Sequence, residues 1–172
     1  MDQDWSSDLA RAGGSWKALL LEQSLWAIWV YRLGRRIDQR PDGWRKRFML
    51  QWYWLLYRFV ETVTGISLPK AAAIGAGLRI WHFGGIFIHP AVVMGRNCTL
   101  RQGVTLGDKG DGGAAPVVGD NVDFGSCAHV IGPVHIGSNV KVGALTIVLS
   151  NVPEGASVVG NPGRVVRQSP VH

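Results

Sequence analysis

The feature that most constrains this chain is a six-residue beat in its C-terminal two-thirds. Val118, Phe124, Val130, Ile136, Val142 and Val148 stand six apart without a slip. A second track, Val122, Ala128, Val134, Val140 and Thr146, runs four residues behind it, and Gly119, Gly125, Gly137 and Gly143 directly follow four of the lead residues. A helix repeats its apolar face every 3.6 residues and a strand every two, so neither sustains a period of six. A β-helix of hexapeptides does. Three short strands make one triangular turn, with each lead aliphatic pointing inward and small residues relieving the corners. Turns stack at roughly 4.8 Å, which joins the inward side chains into continuous ladders.

The interruptions are as informative as the beat. It begins with Leu68, Ile74 and Ile80 and resumes with Ile88, Met94, Leu100 and Leu106; the step from Ile80 to Ile88 is eight, so two residues are inserted there. After Leu106, a run of Gly, Asp and Ala to Pro116 puts glycine (Gly112) where an inward aliphatic is due, and reads as an excursion loop over 107–117. The expected organisation is an N-terminal helical segment over 1–66 and a mainly β domain over 67–172. Residues 1–15 read as polar and irregular. Helical spacing follows over 16–39, a turn at Pro41-Asp42-Gly43, and a second, aromatic-rich helix over 44–64, together an α-helical hairpin.

Seven of the eight tryptophans lie in this first third, and the stretch from Arg32 to Arg47 holds seven Lys/Arg against two Asp in a chain of net charge +6. Capping the open end of the β-helix is the preferred role for the aromatics. An oligomer contact or a peripheral membrane contact, at the inner face of the cytoplasmic membrane, are the others. No uninterrupted apolar run of about 18 residues and no basic-then-apolar leader occurs, so the expected location is cytoplasmic. No nucleic-acid-binding motif accompanies the basic charge. Cys98 and Cys127 make neither a disulfide framework nor a metal-ligand spacing; Cys98 falls on the inner track. No metal site is expected from His89, His129 and His135 either.

Candidate chemistry gathers at the first interruption, Trp81-His82-Phe83-Gly84-Gly85. A histidine at a distorted corner, with glycines allowing close backbone approach, is suited to take a proton from an alcohol. Asp108, Asp111 and Asp123 are candidates to orient it.

At these motifs the chain resembles a family. The hexapeptide ladder, His82-x-Gly-Gly-Ile, the run Gln102 to Gly107, the run Pro116 to Asn121 and the run Gly160 to Arg164 are similar to the serine acetyltransferase-like branch of the left-handed β-helix acyltransferases, over roughly residues 65–167. The two-helix prelude looks closer in layout to colanic-acid-type exopolysaccharide acetyltransferases. The resemblance implies a left-handed parallel β-helix and a homotrimer with active sites between subunits. It implies an O-acetyltransferase using acetyl-CoA, with His82 as general base and direct transfer. The acceptor would lie against Trp81, Phe83, Gly84 and Gly85. The CoA arm would run past Gly107, Gly125, Ser126, Gly143 and Ala144, with Lys141 and Arg164 near its phosphates and backbone N–H groups near Gly107 or Gly125 holding the oxyanion. Serine acetyltransferases carry Asp-His where this chain has Trp81-His82, and Arg-His where it has Ala114-Ala115. The missing charges, with Trp81 as a stacking face, lead the expectation to a sugar or polysaccharide hydroxyl. Serine O-acetylation is the alternative, and a trimeric scaffold without catalysis is the non-enzyme reading.

Overall fold

The computed structural model describes residues 3–110 and 112–168. From Ile66 the chain winds through three parallel sheets in strict rotation. The first sheet holds β1 (Ile66–Ser67), β4 (Ile86–Ile88), β7 (Thr105–Gly107), β10 (His129–Ile131) and β13 (Ile147–Val148). The second holds β2 (Ala73–Ile74), β5 (Val93–Met94), β8 (Val117–Val118) and β11 (His135–Ile136), with Val152 adding a bridge. The third holds β3 (Arg79–Trp81), β6 (Thr99–Arg101), β9 (Asp123–Phe124), β12 (Lys141–Val142) and β14 (Ala156–Val159). Five strands in the first sheet mark five turns of a parallel β-helix, as the beat requires.

Register places the lead residues in vertical ladders. Ile88, Leu106, Val130 and Val148 stack in the first sheet, and Ile74, Met94, Val118 and Ile136 in the second. Ile80 over Leu100, then Phe124, Val142 and Val158, fill the third side. The second track is buried too, Val122, Ala128, Val140 and Thr146 to 0% exposure, and so is Cys98. Between the second and third sheets Asn97, Asn121 and Asn139 occupy left-handed backbone, which Asn tolerates better than most residues. Asn121 Nδ2 donates to Asn139 Oδ1 at 3.1 Å, so the corner carries its own side-chain ladder. The stack ends where β15 (Arg164–Gln168) turns back antiparallel onto β14.

Four helices close the other end: α1 (Gln3–Arg11), α2 (Trp16–Leu21), α3 (Gln23–Asp38) and α4 (Trp44–Thr64). The second expected helix is found with its bounds intact, and it stops at Gly65, whose φ of 64° and N–H to Glu61 O make a left-handed C-terminal cap. Two expectations fail. Residues expected to be irregular form α1, because Trp5 and Asp8 are buried against the rest of the fold and the Arg11 guanidinium reaches the β-helix backbone. The expected single helix over 16–39 breaks at Glu22, which leaves the helical path to pair with Arg79.

The helices meet the first turn through a shared apolar core and through hydrogen bonds. Arg32, buried against Asp8, donates to Ile74 O and Gly75 O; Arg11 reaches Gly77 O and Cys98 O; Tyr31 Oη donates to Ala72 O and accepts from Ile74 N. Backbone groups that the first turn would leave unpaired are thereby satisfied. Burial pushes the Asp8 carboxyl above its ordinary range, opposed by Arg32 and the Leu78 N–H. Where α3 crosses α4, a Cβ on Gly34 would stand 2.6 Å from the Tyr53 ring, so only glycine allows that approach.

Candidate active site

The two inserted residues do not disturb the core; they are pushed out of it. Ile80 and Ile88 keep their inward places, and the surplus forms a bulge at the edge between the third and first sheets. His82 (φ 63°), Gly84 (φ 103°) and Gly85 (φ 66°) all take left-handed backbone to make this detour. His82 is consequently exposed, flanked by Trp81 at 46% and Phe83 at 50% exposure. Such solvent-facing apolar rings need a reason. The Trp81 ring is held in place: the Arg79 guanidinium lies 4.2 Å from its centroid and is itself bound by Glu22.

Below the bulge the same edge runs straight down the prism. Gly103 N donates to Gly84 O, Cys127 N to Gln102 O and Leu145 N to Ser126 O, so Gln102, Ser126 and Ala144 form a column under it. With stacking at about 4.8 Å per turn, Ala144 lies about 14 Å below the bulge. Gly125 and Gly143 flank the column, and a Cβ on Gly125 would meet Gly143 C at 2.7 Å, so small residues are needed for the turns to close. His82, Gly84, Gly85, Gly125, Ser126, Gly143 and Ala144 are thus brought onto one edge. Lys141 projects from the third sheet two residues before Gly143, and Arg164 is exposed on β15, the edge strand of that sheet, with β14 between them.

Gly107 is not on this edge. It ends β7 opposite Ile131, at the far side of the first sheet, and the excursion loop leaves from there. The two interruptions therefore flank opposite edges of one sheet, separated by the outward row of Phe87, Thr105, His129 and Ile147. One chain by itself does not bring them together. The Gly125 N–H itself donates to Val142 O at 2.8 Å in the ladder, which leaves the neighbouring backbone N–H groups for an oxyanion.

Of the candidate orienters, Asp123 is paired with Arg101, and Asp108 accepts from Gly112 N at 3.1 Å; Asp111 lies outside the described residues. Ala115 is buried at 7%. In the sequence Gln102 is distinguished only as the first residue of the run to Gly107. The structure gives it a distinct character: its side-chain carbonyl oxygen is buried without a hydrogen-bond partner, beneath the His82 bulge. A buried unpaired acceptor costs about 1–3 kcal/mol and is the kind of group a bound ligand satisfies. Among the described residues no group of His, Cys, Asp or Glu could hold a metal ion, and no helix is long and apolar enough to cross a membrane.

Comparison with known proteins agrees with this geometry. The chain is 35% identical to a serine acetyltransferase of Helicobacter pylori over 90% of its own length and 88% of the relative's. It is 37% identical to that of Mycobacterium tuberculosis over 83% of its length, spanning 60% of that protein. Among solved structures, serine acetyltransferase from Neisseria gonorrhoeae superposes with a TM-score of 0.79 at 31% identity, covering 99% of this chain and 65% of that one. A serine acetyltransferase in complex with CoA superposes with a TM-score of 0.78 at 26% identity, covering 94% and 68%. No protein-family model matches the chain. The expected likeness to exopolysaccharide enzymes finds no support in these relatives.

Proposed function

The chain belongs to the serine acetyltransferase family, and from that premise we propose that it is an acetyl-CoA-dependent O-acetyltransferase acting on L-serine. The observation that carries the reading is the placement of His82 on an exposed bulge at the head of a straight edge of small residues. The edge through Ser126 and Ala144 seats the pantetheine arm, and Lys141 and Arg164 lie on the side where its phosphates would emerge.

The chemistry needs one proton carrier. The His82 imidazole accepts the proton of the acceptor hydroxyl as that oxygen attacks the thioester carbonyl. The tetrahedral intermediate collapses, breaking the C–S bond, and the imidazolium returns its proton to the leaving thiolate. Holding both substrates along one edge supplies proximity. Arg101, one strand below Trp81, and its ion-pair partner Asp123, one strand further down, offer the opposite charges that a zwitterion's carboxylate and ammonium require. On this reading the Gln102 carbonyl, buried without a partner, accepts from the imidazole or from the acceptor. The two interruptions on opposite edges of one sheet favour a trimer, in which the loop of one copy meets the bulge of the next.

A second reading rests on Trp81. Its ring, backed by Arg79 beside the base, is the surface on which a sugar stacks, and Ala114-Ala115 bring no charge. A thiol-release assay with acetyl-CoA decides: turnover with L-serine at least tenfold above that with mono- and oligosaccharides supports the serine reading. Turnover with a sugar and none with serine transfers the function to a carbohydrate hydroxyl.

A further inference from the structure

Helix α4 has two apolar faces, and the fold uses one. Tyr53, Tyr57, Val60 and Thr64 pack inward. On the opposite side Trp44, Phe48, Trp52, Leu55, Phe59 and Val63 follow one another at steps of four and three, an uninterrupted stripe along the helix. Every member is at least 47% exposed, and Trp44 reaches 75%. Contiguous exposed apolar surface of this kind marks a contact. Beside the stripe, Phe48 and Trp52 form the lip of a groove between α3 and α4 of about 460 Å³, floored by Leu33, Ile37, Met49 and Leu56. At the hairpin tip it adjoins a second hollow of about 450 Å³ lined by Arg40, Trp44, Arg45 and the ion pair of Asp42 with Lys46.

Charge at the tip selects the occupant. Arg40, Arg45 and Arg47 are exposed, and none is in an ion pair among the described residues. The only acidic residue of α4 is Glu61, and it is bound to Arg58. A second copy laid on this stripe would bring apolar surface and little free counter-charge, since the hairpin's acids, Asp38, Asp42 and Glu61, are each held by a Lys or Arg of their own chain. We infer that α4 and the groove beside it dock on the surface of a bilayer rich in anionic phospholipid. The indoles and phenyl rings enter the headgroup boundary, the three arginines meet lipid phosphates, and the groove seats an acyl chain. The helix lies on the bilayer rather than through it, in keeping with the absence of a membrane-spanning helix among the described residues.

The inference is independent of which acceptor the enzyme uses. It is tested by co-sedimentation with vesicles of phosphatidylcholine alone and of phosphatidylcholine with phosphatidylglycerol. Binding is expected to the anionic vesicles only, and it weakens about fivefold for each of Arg40→Gln, Arg45→Gln and Arg47→Gln. Phe48→Ser with Trp52→Ser abolishes the remainder, while the thermal midpoint and the mass in solution stay unchanged because both rings are exposed. Equal binding to both vesicles, or none to the anionic ones, overturns the inference. So does a fall in solution mass of the Phe48/Trp52 variant with vesicle binding intact, which would assign the stripe to a contact between copies.

Discussion

His82 offers a test in which catalysis and folding separate cleanly, provided the replacement respects the backbone. Its φ of 63° is left-handed, so alanine would add strain of about 1 kcal/mol to whatever chemistry is lost. Asparagine tolerates that conformation and cannot serve as the base. The side chain is exposed, and no hydrogen bond to it is formed by the described residues, so His82→Asn should change stability by no more than about 0.5 kcal/mol. For a chain of this size that is about 1–2 °C in Tm. Loss of a general base costs about 10²–10⁴-fold in turnover, or about 2.7–5.4 kcal/mol of barrier at 1.36 kcal/mol per decade. Thiol release should therefore fall at least a hundredfold in kcat/KM, with calorimetry and far-UV circular dichroism unchanged. Retention of activity within threefold would refute the assignment of His82 as base. A matching loss of activity and of several degrees in Tm would instead show that the bulge is held by His82.

Two further outcomes follow from the column below it. Gly125→Ala sets a methyl against the backbone of Gly143-Ala144, at 2.7 Å from Gly143 C, and should cost about 1–3 kcal/mol and raise KM for acetyl-CoA more than it lowers kcat; an unchanged Tm would contradict the close approach. Burial pushes the Cys98 thiol up to about 11 while Cys127 is half-buried at the edge, so iodoacetamide at pH 8 should add one group per native chain and two after unfolding, read by intact mass.

The solenoid was legible because its period is the whole of its packing. A residue six positions on occupies the same inward place in the next strand, so Val118 to Val148 specify ladder and turn together. The eight-residue step at Ile80 was legible for the same reason, and it located the bulge. Hydrophobic pattern was blind to α1, whose buried members include a charge: Asp8 is 0% exposed because Arg32, 24 residues away, neutralises it. The break at Glu22 has its cause 57 residues on, in Arg79, and no local signal announces it. Likewise the sequence placed both interruptions near the site without revealing that they lie on different edges. That follows from which of three sheets each strand joins, a count the excursion loop obscures.

The straight edge under His82 also behaves as a ruler. Every position on it recurs at the same corner one turn later, through Gly84, Gln102, Ser126 and Ala144, so distance from the base is measured in whole turns of about 4.8 Å. Adding or removing a turn below Ser126 would leave the chemistry at the bulge untouched and shift Arg164 by one graduation. The length of a bound arm from thioester to phosphate is thus matched by an integer, and the chain can change that integer without redesigning either end.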